Sequence, residues 1–107
     1  MPAAGRGSGG YNGDGLLARA SYLYWVEEIK FGPDGKLYIL DWNNERIRRV
    51  GLNGLVTTVF GGGSQAPDDG VMAIGARGFL ASIAVDREDR LLFEHGDRIW
   101  RVEPNGL

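Results

Sequence analysis

The chain has 107 residues, of which 43% are hydrophobic and 24% charged, and a net charge of −2. That is about one small domain with one modest core, close to globular averages, and it excludes a chain disordered throughout. The absence of cysteine excludes a disulfide framework or thiolate metal site; no apolar run approaches the roughly 18 residues of a membrane span, and the slightly acidic balance argues against wholesale phosphate binding.

Residues 1–15 are rich in glycine and poor in apolar and β-branched side chains, so they read as a flexible lead with no strand or helix. Within it "GRGSGG" (Gly5 to Gly10) formally matches G-x-G-x-x-G. A dinucleotide site needs a strand before that motif and a helix after it, and neither is expected here. The opening residues also lack the apolar core of a secretory signal, which together with the missing cysteine favours the cytoplasm without fixing the compartment.

In "LLARASYLYWVEEIKF" the residues Tyr22, Trp25, Val26 and Ile29 recur at helical spacing. Aromatic and β-branched residues suit strands equally well, so a short helix, or a turn leading into a strand near Glu28 to Phe31, both fit. From Phe31 the pattern is plainer. "GPDG" (Gly32 to Gly35) has turn chemistry, and "KLYILD" (Lys36 to Asp41) is apolar on both faces, as a strand between two layers must be. "DWNNE" (Asp41 to Glu45) turns, "RIRRV" (Arg46 to Val50) is a strand, "GLNG" (Gly51 to Gly54) turns again, and "LVTTVF" (Leu55 to Phe60) is a fourth strand. Four strands joined by short turns predict one antiparallel meander.

After the polar loop "SQAPDDG" (Ser64 to Gly70) the pattern restarts. "SIAV" (Ser82 to Val85), "RLLFEH" (Arg90 to His95) and "RIWRV" (Arg98 to Val102) answer three of the four strands. The repetition is close: "RIRRVGLNGL" from Arg46 and "RIWRVEPNGL" from Arg98 agree at seven of ten positions. Their recurrence at matching positions marks Arg46, Arg48, Arg49, Arg98 and Arg101 as strand residues whose stems cover apolar surface.

Four-stranded units of this length suggest propeller blades. "NGDG…A…A…L" (Asn12 to Leu23), "FGPDGKLYILDWNNERIRRV" (Phe31 to Val50) and "GLVTTVFGGG" (Gly54 to Gly63) resemble the NHL repeat in its bacterial form, with a Gly-Asp-Gly loop between blades. The family's aspartate, asparagine and "RI" fall on Asp41, Asn44, Arg46 and Ile47. The second unit departs from the pattern, with "HGDR" (His95 to Arg98) in the turn and "DDG" (Asp68 to Gly70) for Gly-Asp-Gly, and the proline usual before each first strand is absent from both units. The resemblance implies an all-β chain: a lead over 1–15, an NHL-like blade over 16–63, and a second over 64–107 lacking its last strand.

NHL domains are typically six-bladed rings that bind proteins, peptides or RNA, and some relatives of the fold are metal-dependent lyases or lactonases. Two blades cannot close a ring, so the resemblance implies a homo-oligomer, as three chains giving six blades or as a dimer, with a piece of a longer propeller as the other alternative. The expected function is a non-catalytic binding or scaffold module presenting loops to a protein, peptide or small ligand. The alternative is a metal-dependent lyase or lactonase with a site shared between chains.

The candidate ligand-binding residues are Trp42, Asn43, Asn44 and Asp14. Trp42 is placed at a turn tip, where a large ring has little structural reason to be. Asp41 and Arg46 are read as structural turn residues. Asp41, Asn43 and Glu45 alternate as Ca²⁺ ligands can, but Asp and Asn also bond their own backbone in tight turns, and the second unit does not repeat them, so no metal is expected. His95, the single histidine, has no nucleophile pattern around it, so no catalytic residue and no cofactor are expected. Nucleic acid and membrane are not expected partners.

Overall fold

The computed structural model describes residues 3–5, 7, 9–63, 73–75, 80–96 and 98–103. The loop carrying Asp68 and Asp69, Asp97 of the second turn, and the closing residues 104–107 lie outside the described residues. Eight strands follow in chain order: β1 (Leu16–Leu17), β2 (Val26–Phe31), β3 (Leu37–Asp41), β4 (Arg46–Val50), β5 (Leu55–Gly61), β6 (Ile83–Val85), β7 (Leu91–His95) and β8 (Arg98–Arg101). They form two antiparallel sheets, one of five strands in the order β1-β5-β4-β3-β2 and one of three in the order β6-β7-β8, with no closed barrel.

The stretch whose aromatic residues recur at helical spacing is not an α-helix. Leu16–Leu17 pairs with β5, Ala18–Ala20 makes a single 3₁₀ turn, and Val26–Phe31 pairs with β3 along its whole length. The periodicity is present in the sequence, but a ready sheet edge on β3 supplies backbone partners that outweigh local preference.

Two bulges decide which side chains meet the core. Ile47 faces Phe60 while Arg48 faces Thr58, so one extra residue, Val59, sits in β5. Without it Phe60 would follow Thr58 onto the opposite face, since a one-residue slip reverses every side chain beyond it. A second irregularity between Val26 and Glu28 turns Glu28 to the same side as its partner Leu40. From there the Glu28 carboxylate accepts the backbone N–H of Ile83 in the second sheet at 3.2 Å.

The sheets stack face to face. Tyr38, Leu40, Ile47 and Phe60 of the first meet Leu80, Ile83, Leu91 and Phe93 of the second in one buried cluster, with the Phe60 and Phe93 rings 4.5 Å apart. Polar links close the rim: Tyr38 Oη donates to Asp89 Oδ1 at 3.1 Å and Lys36 Nζ lies 3.4 Å from Asp89 Oδ2. Burial pushes the Tyr38 phenol above its ordinary value, opposed by Arg49. At the end of β5, Gly61 has φ +91°, and a β-carbon there would lie 2.0 Å from the Glu45 carbonyl oxygen, so only glycine lets the strand pass the turn beside it.

The β6–β7 turn is organised by Asp86, whose Oδ1 accepts the backbone N–H groups of Arg90 (2.8 Å) and Glu88 (3.0 Å) while Oδ2 accepts Arg90 Nε (2.8 Å). The Arg90 N–H, with the Arg90 guanidinium and the Glu88 N–H, holds this carboxyl below the ordinary aspartate value of 3.8. A depressed folded-state value means the stabilisation is complete above the unfolded value and is lost as pH falls through the folded one. Urea melts from about pH 6 down to about pH 2 are therefore expected to show an acid loss of stability that Asp86→Asn makes shallower, with the variant weaker at neutral pH. Identical pH profiles for the two proteins would refute this.

Candidate functional site

The face of the first sheet away from the second carries Ile39, Asp41, Arg48 and Val56, all buried. What buries them is the chain before β2. The Gly15 N–H donates to the Val56 carbonyl at 2.7 Å, and Ala18 N–H to that of Gly54 at 3.1 Å, drawing the glycine-rich lead across this face. Asn12 fastens it further, its Oδ1 accepting Tyr22 N–H at 2.8 Å and its Nδ2 donating to the Ala20 carbonyl at 3.0 Å.

At the centre lies Arg48, fully buried. Its Nη2 donates to the Gly13 carbonyl at 2.8 Å and to Asp14 Oδ1 at 3.0 Å, and its Nη1 stands 3.5 Å from Asp41 Oδ2. Asp14 also accepts Thr58 Oγ1 at 2.9 Å. The fully buried Asp41 receives the Tyr24 N–H on Oδ1 (2.7 Å) and Asn44 Nδ2 on Oδ2 (2.8 Å). Asn44 Nδ2 reaches the Gly10 carbonyl as well, at 2.8 Å. Above them the Arg46 guanidinium lies 3.7 Å from the centre of the Tyr11 ring and donates to the Asn44 carbonyl at 3.2 Å.

Four of the six residues singled out from the sequence, Asp14, Asp41, Asn44 and Arg46, thus converge on one polar cluster. Their hydrogen-bonding groups face each other and the lead, so the cluster clamps the chain, and a ligand would have to displace those bonds to use it. The other two sit outward. Asn43 is exposed at the tip of the 3₁₀ turn Trp42–Asn44, and its N–H donates to the Tyr24 carbonyl at 3.0 Å. Trp42 is half-buried, its ring centre 5.7 Å from that of Trp25, and its N–H donates to the Trp25 carbonyl at 3.1 Å.

Three residues of this end of the sheet were not among the candidate site residues: Tyr11, Trp25 and Arg48. Arg48 was expected to lay its stem over apolar surface with its head in water, whereas its head is buried with two carboxylates around it. The alternation Arg48/Arg49 gave no clue to which of the pair faces inward. Trp25 carried a signal in its own type, as an aromatic residue just ahead of a strand.

Among the described residues no three or more His, Cys, Asp or Glu side chains come together as metal ligands. His95, at the end of β7, pairs across the sheet with Arg98. No helix among the described residues is long and apolar enough to cross a membrane. No protein-family model matches the chain, and no curated protein matches it.

Proposed function

We propose that the chain is a pair of NHL-like propeller blades acting as a non-catalytic binding and scaffold module, which associates with further copies of itself and presents the Asp41 to Glu45 turn to a protein, peptide or small ligand. The observation that carries the assembly is the state of the two outer faces. On the first sheet the lead covers Ile39, Asp41, Arg48 and Val56, whereas Ile29 and Phe31, on the same side as Ile39, remain 55% and 70% exposed. On the second sheet Ile99, opposite Glu94, is 77% exposed and shares the outer face with the exposed Ala84 two strands away. Apolar residues on two opposite outer faces fit a head-to-tail contact, in which the outer face of one copy's second sheet covers the first sheet of the next.

Four of the ten arginines are engaged within the chain, which supports a protein or small-ligand role over phosphate binding. Arg48 is buried, Arg46 is stacked on Tyr11, Arg90 is bonded to Asp86 and Glu88, and Arg101 is bonded to Glu103. A phosphate-binding face needs such groups free.

Light scattering on a sizing column over a range of concentrations tests the assembly. A single species of two or more chains is expected, with Phe31→Lys or Ile99→Lys weakening association by about tenfold or more, because each places a charge in an apolar contact. A folded monomer throughout the range would defeat the assembly reading, and a stoichiometric metal ion after dialysis would defeat the non-catalytic one.

A further inference from the structure

Exposed apolar surface on this chain is concentrated in one place. Of the ten large apolar side chains exposed among the described residues, Tyr24, Trp25, Val26, Ile29 and Phe31 fall within eight consecutive positions. Within the run Trp25 is 66% exposed, and its backbone is left-handed, with φ 63°. A residue with a β-carbon rarely takes that conformation, and a glycine would take it without strain. Burial does not offset the strain, because most of the indole is in solvent. Strained and exposed together, Trp25 points outward for a reason its own packing does not supply.

Its surroundings restrict what it can hold. The indole Nε1 donates to Glu27 Oε2 at 3.1 Å, which fixes the ring and sets a carboxylate at its edge. Trp42 backs it, tilted at 51°. Neither Leu23 to Ile29 nor Asp41 to Glu45 contains a lysine or arginine; in sequence the lead has one, Arg6, between Gly5 and Gly7. Of their four carboxylates, Glu28 is paired with Lys30 at 3.3 Å and Asp41 with Arg48 at 3.5 Å, leaving Glu27 and Glu45 as the local excess of negative charge. A groove of 420 Å³ runs past the ring, between backbone of the lead at Gly5, Gly7 and Gly9 and the side chains of Tyr24, Trp25 and Val26.

We propose that Trp25, backed by Trp42 and flanked by Glu27, receives an arginine or lysine side chain of an extended basic peptide lying in this groove. An aromatic face attracts a cation through its quadrupole, tryptophan most strongly of the rings. Glu27 adds direct charge attraction at the ring edge. A saccharide would stack on the same ring but wants its N–H, which Glu27 already holds; a nucleic acid would bring phosphates to an acidic edge. The proposal deepens the reading of this turn as the ligand-presenting end and does not depend on assembly.

The test is titration of the full chain with an acetylated, amidated tetra-arginine peptide at low ionic strength, followed by tryptophan fluorescence and calorimetry. Saturable binding is expected, weakened about five- to thirtyfold by Trp25→Gly and about threefold by Glu27→Gln. Trp25→Gly removes the ring while suiting the left-handed backbone, so it is expected to melt no lower than the parent, which separates loss of the site from loss of the fold. A folded Trp25→Gly protein with parental affinity would overturn the proposal. So would binding of a neutral cello-oligosaccharide or a tetra-glutamate peptide in place of the arginine peptide. Peptide binding by a monomeric chain would uphold this site while defeating the assembly, and an assembly indifferent to the peptide would do the reverse.

Discussion

Replacing Asp41 by alanine is expected to destabilise the protein by about 3–5 kcal/mol, the cost of removing one partner of a buried ion pair. Asp41 and Arg48 are both wholly inaccessible. Arg48 already has two buried nitrogens, Nε and Nη1, without a hydrogen-bond partner, and Nη1 is the one that Asp41 Oδ2 faces at 3.5 Å. Removing the carboxylate leaves that nitrogen in low dielectric with nothing opposite it. It also strips the acceptor from the Tyr24 N–H and one acceptor from Asn44. Against a total of about 5–15 kcal/mol for a domain, such a loss is a large part of the whole.

Arg48→Met alone strands the opposite charge and is expected to cost a similar amount. Asp41→Asn and Arg48→Met combined remove both charges of the pair and, set against these same two single variants and the parent, are expected to recover most of the loss, the non-additivity being the signature of a direct pair. Urea denaturation of the four proteins reads this out. A loss within about 1 kcal/mol for Asp41→Ala would mean that water reaches the pair and that it behaves as an exposed one.

Phe60→Ala is the second large effect, expected at about 3–5 kcal/mol from lost apolar transfer and the cavity left behind. Phe60 is 1% exposed and its ring meets Phe93 of the other sheet at 4.5 Å. It belongs to the first sheet and packs on the second, so its loss weakens the joint between them. If the sheets form one cooperative unit, the melt remains a single transition moved to lower denaturant, with Phe60→Leu losing about 1.5 kcal/mol or less. Separation of the melt into two transitions in the parent protein would show instead that each sheet folds by itself, and Phe60→Ala would then cost far less.

The Asp41 network and the Phe60 joint occupy opposite faces of the same sheet, and they rest on different physics. One face is held by apolar contact with the second sheet. The other is closed by hydrogen bonds from buried charged and polar side chains to backbone carbonyls of the lead, because Gly10 and Gly13 present no side chain to pack. That division leaves the β2 side of the polar face open, where Ile29 and Phe31 stand exposed.

The strands from Lys36 to Phe60, and those of the second unit, follow from local chemistry. Runs such as "LYILD" and "LVTTVF" are apolar and β-branched, "GPDG" and "GLNG" stop them, and short turns force antiparallel neighbours. Leu37 to Leu40 apolar on both faces already demanded two covering layers, and both are present. The segment from Leu16 to Phe31 was ambiguous because its aromatic residues satisfy helical spacing as well as a strand; the edge of β3 decided between them. Likewise nothing local distinguishes Arg48 from Arg49. Alternation along β4 puts one on each face, and only the covering layer determines that Arg48 is sealed among Asp14, Asp41 and Gly13 while Arg49 lies on the side of Tyr38. Local pattern sets strand and turn because it acts within a few residues. The clamp on the lead and the exposure of Trp25 were decided by tertiary structure, since their partners lie up to 35 residues away in sequence and are brought together only by the stacking of the sheet.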